Sequence, residues 1–197
     1  MSHIDQMLQA GWALTPIPVG EKAPKTKGWN ERNNCVKDIS KKHLLENMNI
    51  GLCHAFCSPN PTCSIDIDSY KDAKQWLKKY DIDIKALLFA ENASVIWSGK
   101  PNSIKLLYQL PDESTPLPSK IINNEHGKVA IEFRCATHDG KTVQDVIPPS
   151  KHPSGSTYRW FSENPYSPPE IPRRLFNAWR MLLREKSSKL PDERSDR

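Results

Sequence analysis

Glycine is scarce in this chain, 8 residues against 17 prolines in 197, so many of its connections are stiff. Long apolar runs are missing too, and nothing approaches the roughly 20 residues that a membrane-spanning helix needs. The opening Met-Ser-His-Ile-Asp-Gln carries neither the charged nor the apolar region of a secretory signal. Five cysteines, an odd number, do not make a fully paired disulfide framework. Together these absences predict a protein of the reducing cytoplasm with no membrane partner. Internal repeats, heptads and helicase motifs are also lacking. What remains is a hydrophobic fraction of 37%, enough for a real core in one domain or two tightly joined lobes.

Charge is modest in total, +5, but uneven. Glu21 to Lys42 holds seven Lys/Arg against three Asp/Glu, and Arg173 to Arg197 holds eight against four. Basic ends around a more acidic centre suit a nucleic acid gripped by its backbone. On charge alone, two solvated surfaces explain the pattern equally well.

Residues 2–10 read as a short helix ending at Gly11, and Trp12 to Pro18 as an edge strand, because its prolines cannot serve a central ladder. A basic loop, Val19 to Trp29, follows. Ser40 to Asn47 is a helix candidate with Ser40 as N-cap. Asn49 to Cys53 and Cys63 to Asp68 are predicted strands around a Pro-containing turn, and Asp72 to Tyr80 is a predicted helix. Further strands are predicted at Ala93 to Trp97, Ile104 to Leu110, Val129 to Cys135, Val143 to Ile147 and Thr157 to Phe161. Arg173 to Glu185 closes the pattern as an amphipathic helix, and the residues beyond Lys186 read as a polar, disordered tail. The mixture points to an α+β or α/β architecture.

The most informative residues are Asp66 and Asp68, in Cys63-Ser-Ile-Asp-Ile-Asp-Ser-Tyr70. Alternation of apolar and acidic residues puts both carboxylates on one face of a strand, roughly 6–7 Å apart. Two like charges at that spacing repel unless a cation lies between them, and phosphoryl-transfer enzymes hold divalent metals in this way. Glu132, in Ala130-Ile-Glu-Phe-Arg134, is a third strand carboxylate. It is either an exposed partner of Arg134 or the completion of a three-carboxylate metal site. Ser98, Gly99 and Lys100, with Lys105, offer hydroxyl, backbone N–H groups and positive charge suited to a triphosphate. This is no Walker A loop, because Ser94 stands where its first glycine belongs and no Ser or Thr follows Lys100. Read alone, Ser-Gly-Lys-Pro is a hairpin turn. Ser150, Lys151 and His152, in Pro148-Pro-Ser-Lys-His152, add further anion contacts on an otherwise ordinary loop.

The ordered series resembles a known family. Gly28-Trp29 after a Pro/Lys-rich segment, Asn49-Ile-Gly, Ile65-Asp-Ile-Asp68, Ser98-Gly-Lys100 with Lys105-Leu-Leu-Tyr108, Ile131-Glu-Phe133 and Pro148-Pro-Ser-Lys-His152 are similar to the bifunctional primase–polymerase domain of the archaeo-eukaryotic primase superfamily. The resemblance runs from about Gly11 to Trp160. It implies a two-lobed α+β fold, an N-terminal αβ unit beside a sheet related to RNA-recognition folds, with the site in the cleft between. The expected division is a catalytic domain over residues 1–170, followed by the amphipathic helix over 171–186 and the tail over 187–197 that the pattern gives. The resemblance further implies template-directed nucleotidyl transfer in a plasmid- or phage-type replication protein. Asp66, Asp68 and Glu132 would hold two Mg²⁺ or Mn²⁺ ions. Ser98, Gly99, Lys100, Lys105, Ser150 and His152 would meet the incoming dNTP or NTP. One metal would activate the 3′-hydroxyl and the other neutralise the departing pyrophosphate. The implied partners are single-stranded DNA template and primer, and a replicative helicase on another chain or further region. Two departures stand out: Lys105 occupies the place where the family usually has histidine, and the third carboxylate is Glu rather than Asp.

Three other readings compete. Cys53, His54, Cys57 and Cys63 fall within eleven positions and invite a zinc site, although their spacing matches no standard pair of knuckles. Trp29, beside Lys22, Lys25 and Lys27, either packs in the core or stacks on an unpaired base of bound DNA. The whole domain could be a non-catalytic module recognising an origin or a single strand, or a metal-dependent phosphodiesterase; the latter leaves the Ser-Gly-Lys segment unexplained.

Overall fold

A computed structural model describes residues 1–187. Its elements are α1 (His3–Gln9), β1 (Leu14–Ile17), β2 (Asn49–Cys53), β3 (Thr62–Ile67), α2 (Tyr70–Lys78), α3 (Ile84–Leu88), β4 (Ser94–Trp97), β5 (Ile104–Gln109), β6 (Lys120–Asn123), β7 (Val129–Arg134), β8 (Gln144–Ile147), β9 (Arg159–Trp160) and α4 (Arg173–Ser187). The strands form two antiparallel sheets, one of three strands in the order β1-β2-β8 and one of six in the order β6-β7-β3-β5-β4-β9. The architecture is α+β. No helix among the described residues is long and apolar enough to cross a membrane.

Alternation along β3 assigns the two faces of the large sheet. Cys63, Ile65 and Ile67 are fully buried on one side, with Phe133 of β7 and Leu106 of β5 as register neighbours of Ile65. Helices cover this side: the Phe133 ring lies 5.3 Å from Trp179 of α4 and 5.8 Å from Trp76 of α2. Trp179 is fully buried, and its indole N–H donates to the Pro118 carbonyl at 3.0 Å. The apolar stripe Leu175-Trp179-Leu182 therefore makes α4 part of the core. The other side of β3 carries Thr62, Ser64 and Asp66 and faces the small sheet.

The N-terminal elements form as their local chemistry dictates. Ser2 caps α1 by accepting from the Asp5 N–H, while the Asp5 carboxylate accepts from the Ser2 N–H, a reciprocal capping box. Gly11, at φ +79°, ends that helix; a Cβ there would lie 2.0 Å from the Ser58 carbonyl oxygen. Pro16 sits on an edge strand, where its missing N–H breaks no ladder.

Several expectations need correction. Ser40 to Asn47 is not an α-helix but a 3-10 segment, Ile39–Leu45, capped by Asp38, whose carboxylate accepts from the Ser40 N–H at 2.8 Å. Strands β2 and β3 do not pair across their Pro-containing turn, and β7 and β8 do not pair as strands across Thr137 to Gly140. In each case one partner joins the small sheet and the other the large one. Helix α3 and strand β6 have no counterpart in the sequence reading. The expected disordered tail falls almost wholly on residues 188–197, outside the described residues.

Asn49 of β2 and Gln144 of β8 tie the basic N-terminal loop to the small sheet. The Asn49 amide donates to the Lys151 carbonyl at 2.7 Å and to the Glu21 carbonyl at 3.3 Å, and its oxygen accepts from the Lys151 N–H at 2.8 Å. Beside it, Gln144 of β8 crosses Gly51 and donates to the Lys22 carbonyl at 2.8 Å. A Cβ on Gly51 would meet Gln144 Oε1 at 2.7 Å, Thr15 Cγ2 at 2.8 Å and Ile17 Cδ1 at 2.9 Å. Gly51→Ala is therefore expected to destabilise the domain by about 1–3 kcal/mol through overpacking, measured as a lowered urea midpoint.

Candidate functional site

Where β3 ends, a small cavity opens on the polar side of the large sheet. Asp66 and Asp68 supply one wall and the β4–β5 hairpin another, through Ser98, Lys100, Ser103 and Lys105. Lys22 approaches from the N-terminal loop, and Tyr158 and Ile96 close the base. The volume, about 80 Å³, matches two or three waters rather than a whole nucleotide.

Strand register creates the electrostatic pattern. Asp66 is the Cα partner of Lys105 on one side and of Glu132 on the other, so the three residues form one row across β5, β3 and β7. Lys105 Nζ lies 3.1 Å from Asp66, Lys100 Nζ lies 3.4 Å from Asp68, and Arg134 lies 2.7 Å from Glu132. Each carboxylate thus has one cation beside it. Glu132 stands one strand away from the cavity, its carboxylate drawn to Arg134. Among the described residues no three His, Cys, Asp or Glu side chains stand ready-grouped around one point.

Behind this row lies Asp145 of β8, only 3% exposed. Lys105 and Ser64 donate to it at short range, His54 Nε2 lies 2.8 Å away and Arg134 Nε 2.9 Å away. Burial pushes the Asp145 carboxyl up, but Lys105, Arg134 and His54 more than reverse this and hold it well below the usual carboxylate range. Burial likewise pulls Lys105 down, and Asp145 and Asp66 overcome it, so the amine stays charged. Sequence reasoning missed Asp145. The available signal was an aspartate among Val143, Val146 and Ile147, a charge inside an apolar strand. Ser103 and Tyr158 were missed as well.

The remaining candidates are scattered. Gly99 adopts φ +89°, and a Cβ there would lie 2.9 Å from the Ser156 side chain, whose hydroxyl donates to the Ser98 carbonyl at 2.5 Å. His152 is half-buried, 5.7 Å ring to ring from Tyr158. Burial, with the charges of Lys22 and Lys100, lowers its pKa, but it is not among the residues that line the cavity. Ser150 is not on the wall: it is buried, and its hydroxyl accepts from the Ile50 N–H at 2.8 Å. Of the basic loop only Lys22 lines the cavity; Lys25 is paired with Glu21 at 2.6 Å, Lys27 is exposed, and Trp29 is half-buried. The residues suspected of holding zinc do other work. His54 meets Thr62 at 2.9 Å through Nδ1 and Asp145 through Nε2, and Cys57 accepts from the Ala13 N–H at 3.5 Å.

A family model described as bifunctional DNA primase/polymerase, N-terminal, matches residues 5–174. The chain belongs to this family. The matched span holds every strand of both sheets and every residue of the cavity, so the family assignment covers the site as well as the fold. No individual curated protein matches the chain. Membership implies a function of the DNA primase/polymerase type.

The Asp145 network gives the primase/polymerase domain a distinct acid response. Burial keeps the His54 pKa below its ordinary value, so the folded imidazole is neutral; Nε2–H donates to Asp145 and Nδ1 accepts from Thr62. The unfolded chain takes up a proton below about pH 6.5 that the folded His54 refuses, so stability falls as pH drops through that value. A second loss follows below about pH 4, where unfolded carboxyls protonate and the depressed Asp145 does not. Thermal melts by circular dichroism are expected to show Tm declining between pH 7.5 and 5.5, and His54→Gln is expected to flatten that decline.

Proposed function

We propose that this domain transfers nucleotidyl groups from dNTP or NTP to a primer end or first nucleotide on single-stranded DNA, within a plasmid- or phage-type replication protein. The observation that carries this reading is the shared cavity, with Asp66 and Asp68 on one side and Ser98, Lys100 and Lys22 on the other. In this view α1 and the small sheet are the N-terminal lobe, the six-stranded sheet is the second lobe, and the cavity is the cleft.

The donor chemistry suits Mg²⁺ or Mn²⁺. Carboxylate oxygens are the hard ligands such ions prefer, and Asp66 and Asp68, 24% and 34% exposed, face the same space. Glu132 follows one strand over as the third candidate ligand. When bound, the ions supply activation of the 3′-hydroxyl and charge neutralisation at the departing pyrophosphate. The chain's own contribution is positioning. Lys100 and Lys22, which both line the cavity, meet phosphate oxygens, and the Gly99 turn brings backbone close to them. Single-stranded template and primer would approach the open mouth, where Lys25, Lys27 and Trp29 lie along the same loop as Lys22. Strand separation is left to a helicase on another chain or region.

One observation favours the alternative of a non-catalytic DNA-binding module: Asp66, Asp68 and Glu132 each already face a cation, so they need no metal for neutrality. Incubation with primed and unprimed single-stranded template, labelled dNTP or NTP, and Mg²⁺ or Mn²⁺ separates the two. Product is expected, and Asp66→Ala/Asp68→Ala is expected to lower its rate at least about a hundredfold. DNA retention without synthesis by the unaltered protein would establish the binding module instead. Lys100→Ala is expected to raise KM for the nucleotide about tenfold while leaving template affinity unchanged, read from steady-state kinetics and fluorescence anisotropy.

A further inference from the structure

Lys105 is held between two carboxylates that differ in access. Asp66 faces the cavity and is 24% exposed; Asp145 lies behind, 3% exposed and away from the cavity wall. An ion arriving from solvent can therefore compete for Asp66 but not for Asp145. A divalent ion and an ammonium group cannot share the Asp66 oxygens at contact distance, because like charges a few ångströms apart in a half-buried site repel strongly. The ammonium must then find another anion or leave.

We propose that Asp145 is a positioning residue that retains Lys105 at the cavity wall when Asp66 turns to a divalent cation. The proposal rests on the metal reading given above for Asp66 and Asp68. Asp145 is fixed for this task by partners that do not depend on Lys105: Ser64, His54 and Arg134. Arg134 repeats the arrangement on the other side, spanning Asp145 and Glu132. The buried carboxylate is thus the common anchor of both cations that flank the site acids. Without Asp145, Lys105 has only Asp66 and closes on it as a tethered competitor.

The test is a double-mutant cycle read by Mn²⁺ affinity, using electron paramagnetic resonance to follow free Mn²⁺ without substrate. Asp145→Asn is expected to weaken Mn²⁺ binding about tenfold. Lys105→Met alone is expected to change it less than about threefold, since Asp145 keeps the amine when Asp66 turns to the ion. In the Asp145→Asn background the same substitution is expected to tighten binding about tenfold. An equal effect of Lys105→Met in both backgrounds overturns the proposal, because it would mean two independent charges or a purely structural Asp145. Absence of Mn²⁺ binding by the unaltered protein would overturn the metal reading itself, and this proposal with it. If Asp145→Asn does not fold, a crystal structure of the unaltered protein with Mn²⁺ decides. Lys105 bonded to Asp145 is the expected result, and Lys105 turned away from Asp145 overturns the inference.

Discussion

The Asp145 carboxylate stands where the two sheets meet, borne by β8 of the small sheet and faced by Ser64, Lys105 and Arg134 of the large one. Removing a carboxylate from water costs several kcal/mol even after relaxation, and only close, well-directed partners offset it. Here four groups do so: three come from the large sheet, and the fourth, His54, directly follows β2 of the small one. The interaction therefore demands that the sheets dock in one arrangement. Apolar packing would tolerate small slips between the layers, but a buried charge with fixed donors does not. The same contact that orients the lobes also aims Lys105 at the cavity, so fold and site share a single constraint.

Register carries that constraint outward. Because side chains alternate along a strand, a one-residue slip of β3 would send Asp66 to the helix-covered face and Ile65 or Ile67 to the charged one. Ile65 is locked against Phe133 and Leu106 under Trp179 and Trp76, so apolar packing on one face holds the acidic row in place on the other. Lys22 reaches the same cavity by a separate route, through Gln144 crossing Gly51 and Asn49 holding two loops at once. The site is thus assembled by both sheets, and each component rests on packing that has no chemical role.

Local pattern made much of this legible. The alternation in Cys63 to Asp68 places both aspartates on one face, residues 2–10 read as the short helix that α1 is, and the Pro-containing first strand reads as an edge, where it lies. Long-range choice was not legible. Nothing in the turns after β2 and β7 says that the next strand leaves for another sheet, because a turn's residues encode its own geometry and not the partner of the strand beyond it. Strand β6, Lys-Ile-Ile-Asn, is too short and polar at its ends to stand out, and α3 offers five residues between loops. Ser150 was assigned to anion contact for its chemistry, yet its hydroxyl completes the small sheet at Ile50. Such substitutions of role arise because a hydroxyl serves a backbone N–H as readily as a phosphate.

The histidine that the family usually carries at the Lys105 position and the aspartate at 145 explain each other. A neutral imidazole beside Asp66 would donate or accept a hydrogen bond without competing for a metal's place. Lysine brings a permanent charge within 3.1 Å of that carboxylate and offers Asp66 a counter-ion. A second anion out of solvent's reach resolves the conflict by giving the ammonium a place to stay that no mobile ion can occupy. Its position one layer behind Asp66, rather than beside it in the cavity, follows from the same requirement. A carboxylate in the cavity would be open to any mobile ion, whereas Asp145, buried between the sheets, meets only the protein's own groups Lys105, Arg134, His54 and Ser64.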